Sequence, residues 1–197
     1  MTFHQESLAR RQQEDECLEG CGFASRKLVL PELINEQQFD WLLSQGVSVP
    51  TIVRPSMIKA ATGTKAPDGL FEPTPAGASW LVVETEQDLV FWNPKTNVFA
   101  TDFGNAFALG EEMIGAAATY SFDCALNIYS HPMDWLRAKR DGIVVLPDQW
   151  YRAFDRLRDA PRIALAESLL PIYRRHMRPA RLPELFVMTS NREAVAC

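Results

Sequence analysis

Apolar and polar positions alternate along this chain in three registers, and each register predicts a different kind of element. Between Pro31 and Gln45, residues Leu33, Ile34, Phe39, Trp41, Leu42 and Leu43 recur near helical spacing. Pro31 suits a first turn and Gly46 a stop, so an amphipathic helix is expected there. In the run VSVPTIVRPSMI, Pro50 and Pro55 interrupt an apolar stretch. An extended segment or a short helical turn followed by an edge strand is expected. The Gly- and Pro-rich stretch ATGTKAPDGLFEPTPAG reads as a loop or linker.

From Trp80 the pattern changes to β. WLVVE, LVFW and NVFATDF are β-branched and aromatic runs, and Asn93-Pro94-Lys95-Thr96 between the last two has turn chemistry. An antiparallel meander is expected, and its runs are continuous enough to predict a strand covered on both sides. Residues Asn105 to Ile114 suit a short helix ended by Gly115, and Ala116 to Ala118 carry no signal.

The most regular pattern starts at Ala125. LNIY, GIVVL, RIALA and ELFVM are short apolar runs separated by MDWLRAKR, WYRAFDRLRDA and SLLPIYRRHM. The second spacer places Trp150, Tyr151, Phe154 and Leu157 on one helical face, and the third places Leu169, Leu170, Tyr173 and Met177 likewise. The fold class expected is therefore α/β: N-terminal helices and a β-meander, then a small, mostly parallel βαβαβαβ module. The boundaries that follow are an acidic polar segment at 1–25, helix and linker at 26–75, meander at 76–124, α/β module at 125–190 and a tail at 191–197. They are expected to share one packed core.

Composition narrows the class. The 197 residues are 47% apolar and 23% charged, with a net charge of −5. No apolar run approaches the roughly 20 residues that cross a bilayer, and MTFHQESLARRQQEDE lacks a secretory hydrophobic segment, so a soluble, cytoplasmic protein without a membrane partner is expected. Cys17, Cys21, Cys124 and Cys197 follow no disulfide spacing. Cys17 and Cys21 would share one helical face with His4 as a third zinc ligand, but no second ligand pair exists. No metal is expected.

In an open parallel sheet, chemistry gathers beyond the carboxyl ends of the strands. That rule selects Ser130, His131 and Asp134, then Pro147 and Asp148, then Glu167 and Ser168. His131 and Asp134 are an acid/base candidate pair, with helix capping by Ser130 or Asp134 as the structural alternative. Ser168 suits an N-cap before Pro171. Asp134, Asp148 and Glu167 are the catalytic candidates, and they would require Mg²⁺ as cofactor only if the chain transfers phosphoryl groups. There is no Gly-x-Ser-x-Gly elbow, no Walker-type loop and no Gly-x-Gly-x-x-Gly.

Charge supplies a second candidate surface. Between Asp134 and Arg181 there are eleven Lys or Arg against six Asp or Glu, which leaves −10 for the remainder. Arg137, Lys139 and Arg140 close the first helix of the module, while Arg174, Arg175, Arg178 and Arg181 lie in and just after its last helix. Sharing one sheet edge, they would form a patch for DNA, RNA or an acidic protein. Cations at helix ends also complement the helix dipole. Trp80, Phe91 and Trp92 are candidates for an exposed apolar strand face that would drive self-association.

LNIYSHPMDWLRAKRDGIVVLP resembles the opening of a Toprim module, the α/β unit of DnaG-type primases and topoisomerases, and RIALAE falls where that family has its acidic third strand end. The similarity of layout covers residues 35 to 190 and extends to primase-related proteins of phages and plasmids. It departs from the family at Ser130, where a glutamate would stand, and at Ala166-Glu167-Ser168, where an Asp-x-Asp pair would stand. The resemblance thus implies a module that has lost its metal site. The function expected is a non-catalytic accessory protein of a mobile genetic element, binding nucleic acid or a protein partner. The alternatives are an inhibitor of a host defence complex and a metal-dependent nucleotidyl-transfer enzyme with a reduced site.

Overall fold

A computed structural model describes residues 29–177 of the protein, which divide into two compact units at Ala106/Phe107. The first unit is a mainly antiparallel six-stranded sheet with short helices. Strands β1 (Glu32–Leu33), β2 (Lys59–Lys65), β4 (Ala78–Glu84), β5 (Leu89–Asn93) and β6 (Val98–Thr101) lie in that order, and β3 (Phe71–Pro73) also pairs with β2. Helix α1 spans Glu36–Ser44 and α2 spans Val49–Val53.

The meander forms where β-branched and aromatic residues predict it, with Leu81 opposite Trp92 and Trp92 opposite Phe99. Both faces of β4 are buried, since Trp80 and Val82 point one way and Leu81 and Val83 the other. On one face Phe71 stacks on Phe91 at 3.9 Å and meets Trp80 edge-on at 5.7 Å. Trp80, Phe91 and Trp92 are buried within this unit, so they leave no exposed apolar strand face.

Three expectations need correction. The helix begins five residues after Pro31, because Asn35 and Gln38 build a reciprocal capping box: the Gln38 backbone N–H donates to Asn35 Oδ1 (2.8 Å) and the Asn35 N–H to Gln38 Oε1 (2.9 Å). The residues before it instead form β1. The supposed linker contains β2 and β3, joined through a turn at 66–69. Its weak β-formers are held by neighbours, as Gly63 opens room for Phe71 and its carbonyl accepts the Trp80 indole N–H (3.0 Å). The helix expected at 105–114 is a two-residue strand, β7 (Ala108–Leu109), followed by a 3₁₀ turn at Glu111–Ile114.

One carboxylate fastens the end of the meander. Asp88, 7% exposed, accepts backbone N–H groups from Leu89 (2.8 Å), Asp102 (3.0 Å), Phe103 (2.9 Å), Asn105 (2.6 Å) and Ala106 (3.3 Å). The loop after β6 turns through Gly104 at φ +76° and aims those donors inward, a backbone anion nest filled by a side chain.

The second unit joins β7, β8 (Leu126–Ile128), β9 (Val144–Val145) and β10 (Ile163–Leu165) with α3 (Pro132–Arg137), α4 (Trp150–Leu157) and α5 (Leu170–His176). β8 and β10 pair in parallel, β7 and β9 antiparallel, and one parallel bridge joins Ile128 to Ile143. The chain is therefore mixed α/β; a four-stranded parallel Toprim-like module is not shown, and the run ELFVM expected as its fourth strand lies outside the described residues. So do 1–25 and 191–197. Residues 107–124, expected with the meander, belong to the second unit, because Ala108 and Leu109 pair with Val145 and Val144.

Its core gathers Leu126, Ile128, Ile143, Val145, Trp150, Ala153 and Leu157. Tyr151 is 62% exposed, because one residue past Trp150 lies about 100° around the helix from the buried stripe. Among the described residues, no helix is long and apolar enough to cross a membrane.

Replacing Asp88 removes five charge-assisted acceptor bonds at once. Asp88→Ala is expected to lower unfolding stability by about 3 kcal/mol and Asp88→Asn by less. Urea denaturation reads this as a lower midpoint; an unchanged midpoint for Asp88→Ala would contradict the assignment.

Candidate functional site

The carboxyl ends of β8, β9 and β10 face the same way, with β8 in the middle. The Ala166 N–H donates to the Ile128 carbonyl (3.0 Å) and the Tyr129 N–H to the Ile143 carbonyl (2.9 Å), which carries the ladder up to Tyr129 and Ser130. The candidates nevertheless have separate tasks. His131, rather than Ser130 or Asp134, caps α3: its Nδ1 accepts the Met133 N–H at 3.1 Å. Asp134 sits in the first turn of α3 and pairs with Arg137 at 3.0 Å. Ser168 lies inside a 3₁₀ turn, and Leu169 occupies the N-cap of α5 without a side-chain bond.

Asp148 and Glu167 are both exposed and follow β9 and β10, the strands on either side of β8. Two strand spacings put those strand ends about 10 Å apart. Among the described residues, no group of three or more His, Cys, Asp or Glu is placed to hold a metal. Cys124 is exposed and free; Cys17, Cys21, Cys197 and His4 lie outside the described residues. Tyr129 beside this rim has its phenol held above the ordinary value by burial and by the carboxylates of Asp141 and Asp134.

The basic candidates also separate. Arg140 is 8% exposed, with its guanidinium 5.7 Å over the Trp135 ring. Burial draws its pKa down to about 10, against the opposing effect of Glu112. A guanidinium packed this way is not offered to a phosphate, so Arg140 leaves the proposed patch. Lys139 and Arg140 both take left-handed backbone, at φ 58° and 62°, where each non-glycine residue costs about 1 kcal/mol or more. Trp135 anchors that turn by donating its indole N–H to the Gly142 carbonyl (2.8 Å).

Arg137 and Lys139 precede Ile143, at the amino end of β9. Arg174 and Arg175 lie in the last turn of α5, whose His176 ring approaches Trp150, the first residue of α4, at 6.5 Å. Trp150 follows the carboxyl end of β9. Arg137 and Lys139 thus fall in the segment before β9, and Arg174 and Arg175 in the last turn of the last described helix. Arg178 and Arg181 lie outside the described residues.

What distinguishes the remaining cations is pairing. Arg137 is held by Asp134, and Arg162 by Asp123 at 2.7 Å. Arg174, Arg175 and Lys139 are exposed, and none takes a carboxylate partner among the described residues. Pairing is invisible in a charge count.

Glu111 was missed in the sequence because nothing marks it as buried. Both carboxylate oxygens are inaccessible and lack a hydrogen-bond partner among the described residues. Burial is the main cause that raises its pKa from 4.5, and Glu112 adds to it. The Phe107 backbone N–H and the cations Arg152 and Arg156 act the other way, the N–H from outside hydrogen-bonding geometry. The folded state thus binds this proton more tightly than the unfolded chain. The stability it contributes is present below the unfolded pKa and is lost as pH rises through the folded one. Glu111→Gln is expected to raise Tm at pH 7 and to leave it nearly unchanged at pH 4, measured by thermal unfolding; a lower Tm at pH 7 would contradict this.

No family model, curated protein or solved structure matches the chain.

Proposed function

We propose that the chain is a non-catalytic binding protein whose second unit contacts the phosphate backbone of nucleic acid through the last turn of α5. The observation that carries this reading is the pair Arg174 and Arg175, adjacent, exposed and without a carboxylate partner among the described residues. One cation suffices to complement a helix dipole. Two neighbouring guanidiniums, each with five N–H donors in a planar fork, exceed that need and match phosphate oxygens. The sequence continues the series with Arg178 and Arg181.

A phosphate contact carries no sequence information, so the reading is of backbone binding without base specificity. The accessory role in a mobile genetic element rests on the resemblance of residues 35 to 190 alone. The metal-dependent alternative gains nothing from the rim, where Asp134 is paired with Arg137 and Asp148 and Glu167 follow strands that are not neighbours.

Binding to single-stranded and duplex DNA, measured by fluorescence anisotropy across a salt series, is expected to weaken steeply with salt. The double variant Arg174→Ala/Arg175→Ala should flatten the log–log slope by about 2, roughly one unit for each phosphate that is no longer neutralised. Undetectable or salt-insensitive binding would remove the nucleic-acid reading and leave a protein partner in its place.

A further inference from the structure

A groove of about 570 Å³ opens in the first unit, lined by Asn35, Gln37 and Trp41 of α1 and its cap, Ser79 to Leu81 of β4, and the Pro94-Lys95 turn. Its size is that of a ligand site rather than a packing gap. Trp41 is 36% exposed, so part of its ring is open to solvent where it lines this groove.

The hydrogen bonds around it show what is left to offer. Asn35 Oδ1 and Gln38 Oε1 are spent on the capping box, Gln38 Nε2 donates to Ser79 Oγ (2.9 Å), and the Trp80 indole N–H is spent on Gly63. The Trp41 indole N–H, the Asn35 and Gln37 amide NH₂ groups and the Lys95 ammonium have no partner among the described residues. The lining is thus rich in donors, with an indole and a proline ring beside them. It fits a ligand that brings acceptors, needs few donors in return and presents apolar rings.

Charge narrows the ligand further. Residues 29–106 hold four Lys or Arg against nine Asp or Glu, and Glu36 and Asp40 stand exposed beside Gln37 and Trp41 on α1. That field repels a phosphate polymer and attracts a cation. A proline-rich segment in the polyproline II conformation meets each requirement: its carbonyls are open acceptors, its prolines carry no N–H, and its rings pack on aromatic grooves.

We propose that this groove docks a proline-rich peptide of a partner protein, with a flanking Arg or Lys set against Glu36 and Asp40. It is a second surface, separate from the Arg174-Arg175 pair, and its test does not depend on nucleic-acid binding. The full chain, labelled with ¹⁵N, has five tryptophans, and the Trp41 indole signal is the one that disappears in Trp41→Phe. An octaproline peptide flanked by arginine should shift that signal saturably, and at least threefold more tightly than the glutamate-flanked peptide. Trp41→Ala should weaken binding at least tenfold, followed through the peptide's own fluorophore, and Glu36→Lys/Asp40→Lys should abolish the arginine preference. No saturable shift, no arginine preference, or a shift of the same signal by decathymidylate at lower concentration would overturn the proposal.

Discussion

Five backbone N–H groups converge on the carboxylate of Asp88, and the first unit depends on that convergence. A loop of successive inward-pointing donors is unstable in a buried place without an anion to meet them. Asp88 supplies the anion from the turn between β4 and β5, so the chain leaving β6 is tied back to the hairpin that precedes it. With the meander closed in this way, β4 can be buried on both faces. The Gln38 bond to Ser79 then sets α1 beside β4 and leaves Trp41 over the groove.

The second unit depends on close backbone approach instead. Gly142, at φ +111°, lies where a side chain would run into the Asn127 backbone, and the Ile143 N–H donates to the Asn127 carbonyl at 2.8 Å. That contact sets the start of β9 beside β8. The preceding turn is held by Trp135 on Gly142 and by Arg140 over Trp135. A residue that looks like part of a basic surface is there to pack, and the exposed arginines of α5 are among the described cations that take no carboxylate partner.

The strands at 80–84, 89–93 and 98–101 were legible because Val, Phe and Trp favour a pleated, buried surface whatever their neighbours. β2 was not: Lys-Ala-Ala-Thr-Gly-Thr-Lys has little β preference of its own, and its extended form comes from pairing with β4 on one edge and with β1 and β3 on the other. Of the three described helices of the α/β region, α4 and α5 stood out through their apolar spacing and α3 through its place between two apolar runs, but the cap of α3 did not, since an imidazole acceptor has no sequence signature beside Ser130 and Asp134. The candidate site divides in the same way. The arginines were legible as charge, whereas the burial of Arg140 and the pairing of Arg137 are three-dimensional facts. Asp88 and Glu111 passed unnoticed because carboxylates in loops are ordinarily solvated.

Photo-crosslinking of the full chain to single-stranded DNA, with the adducts located by mass spectrometry, tests the central claim that nucleic acid meets the second unit at α5. Adducts within residues 150–177, near Trp150, Tyr173 and His176, are the result this account predicts. Adducts confined to residues 29–106, where acidic side chains outnumber basic ones, would contradict it.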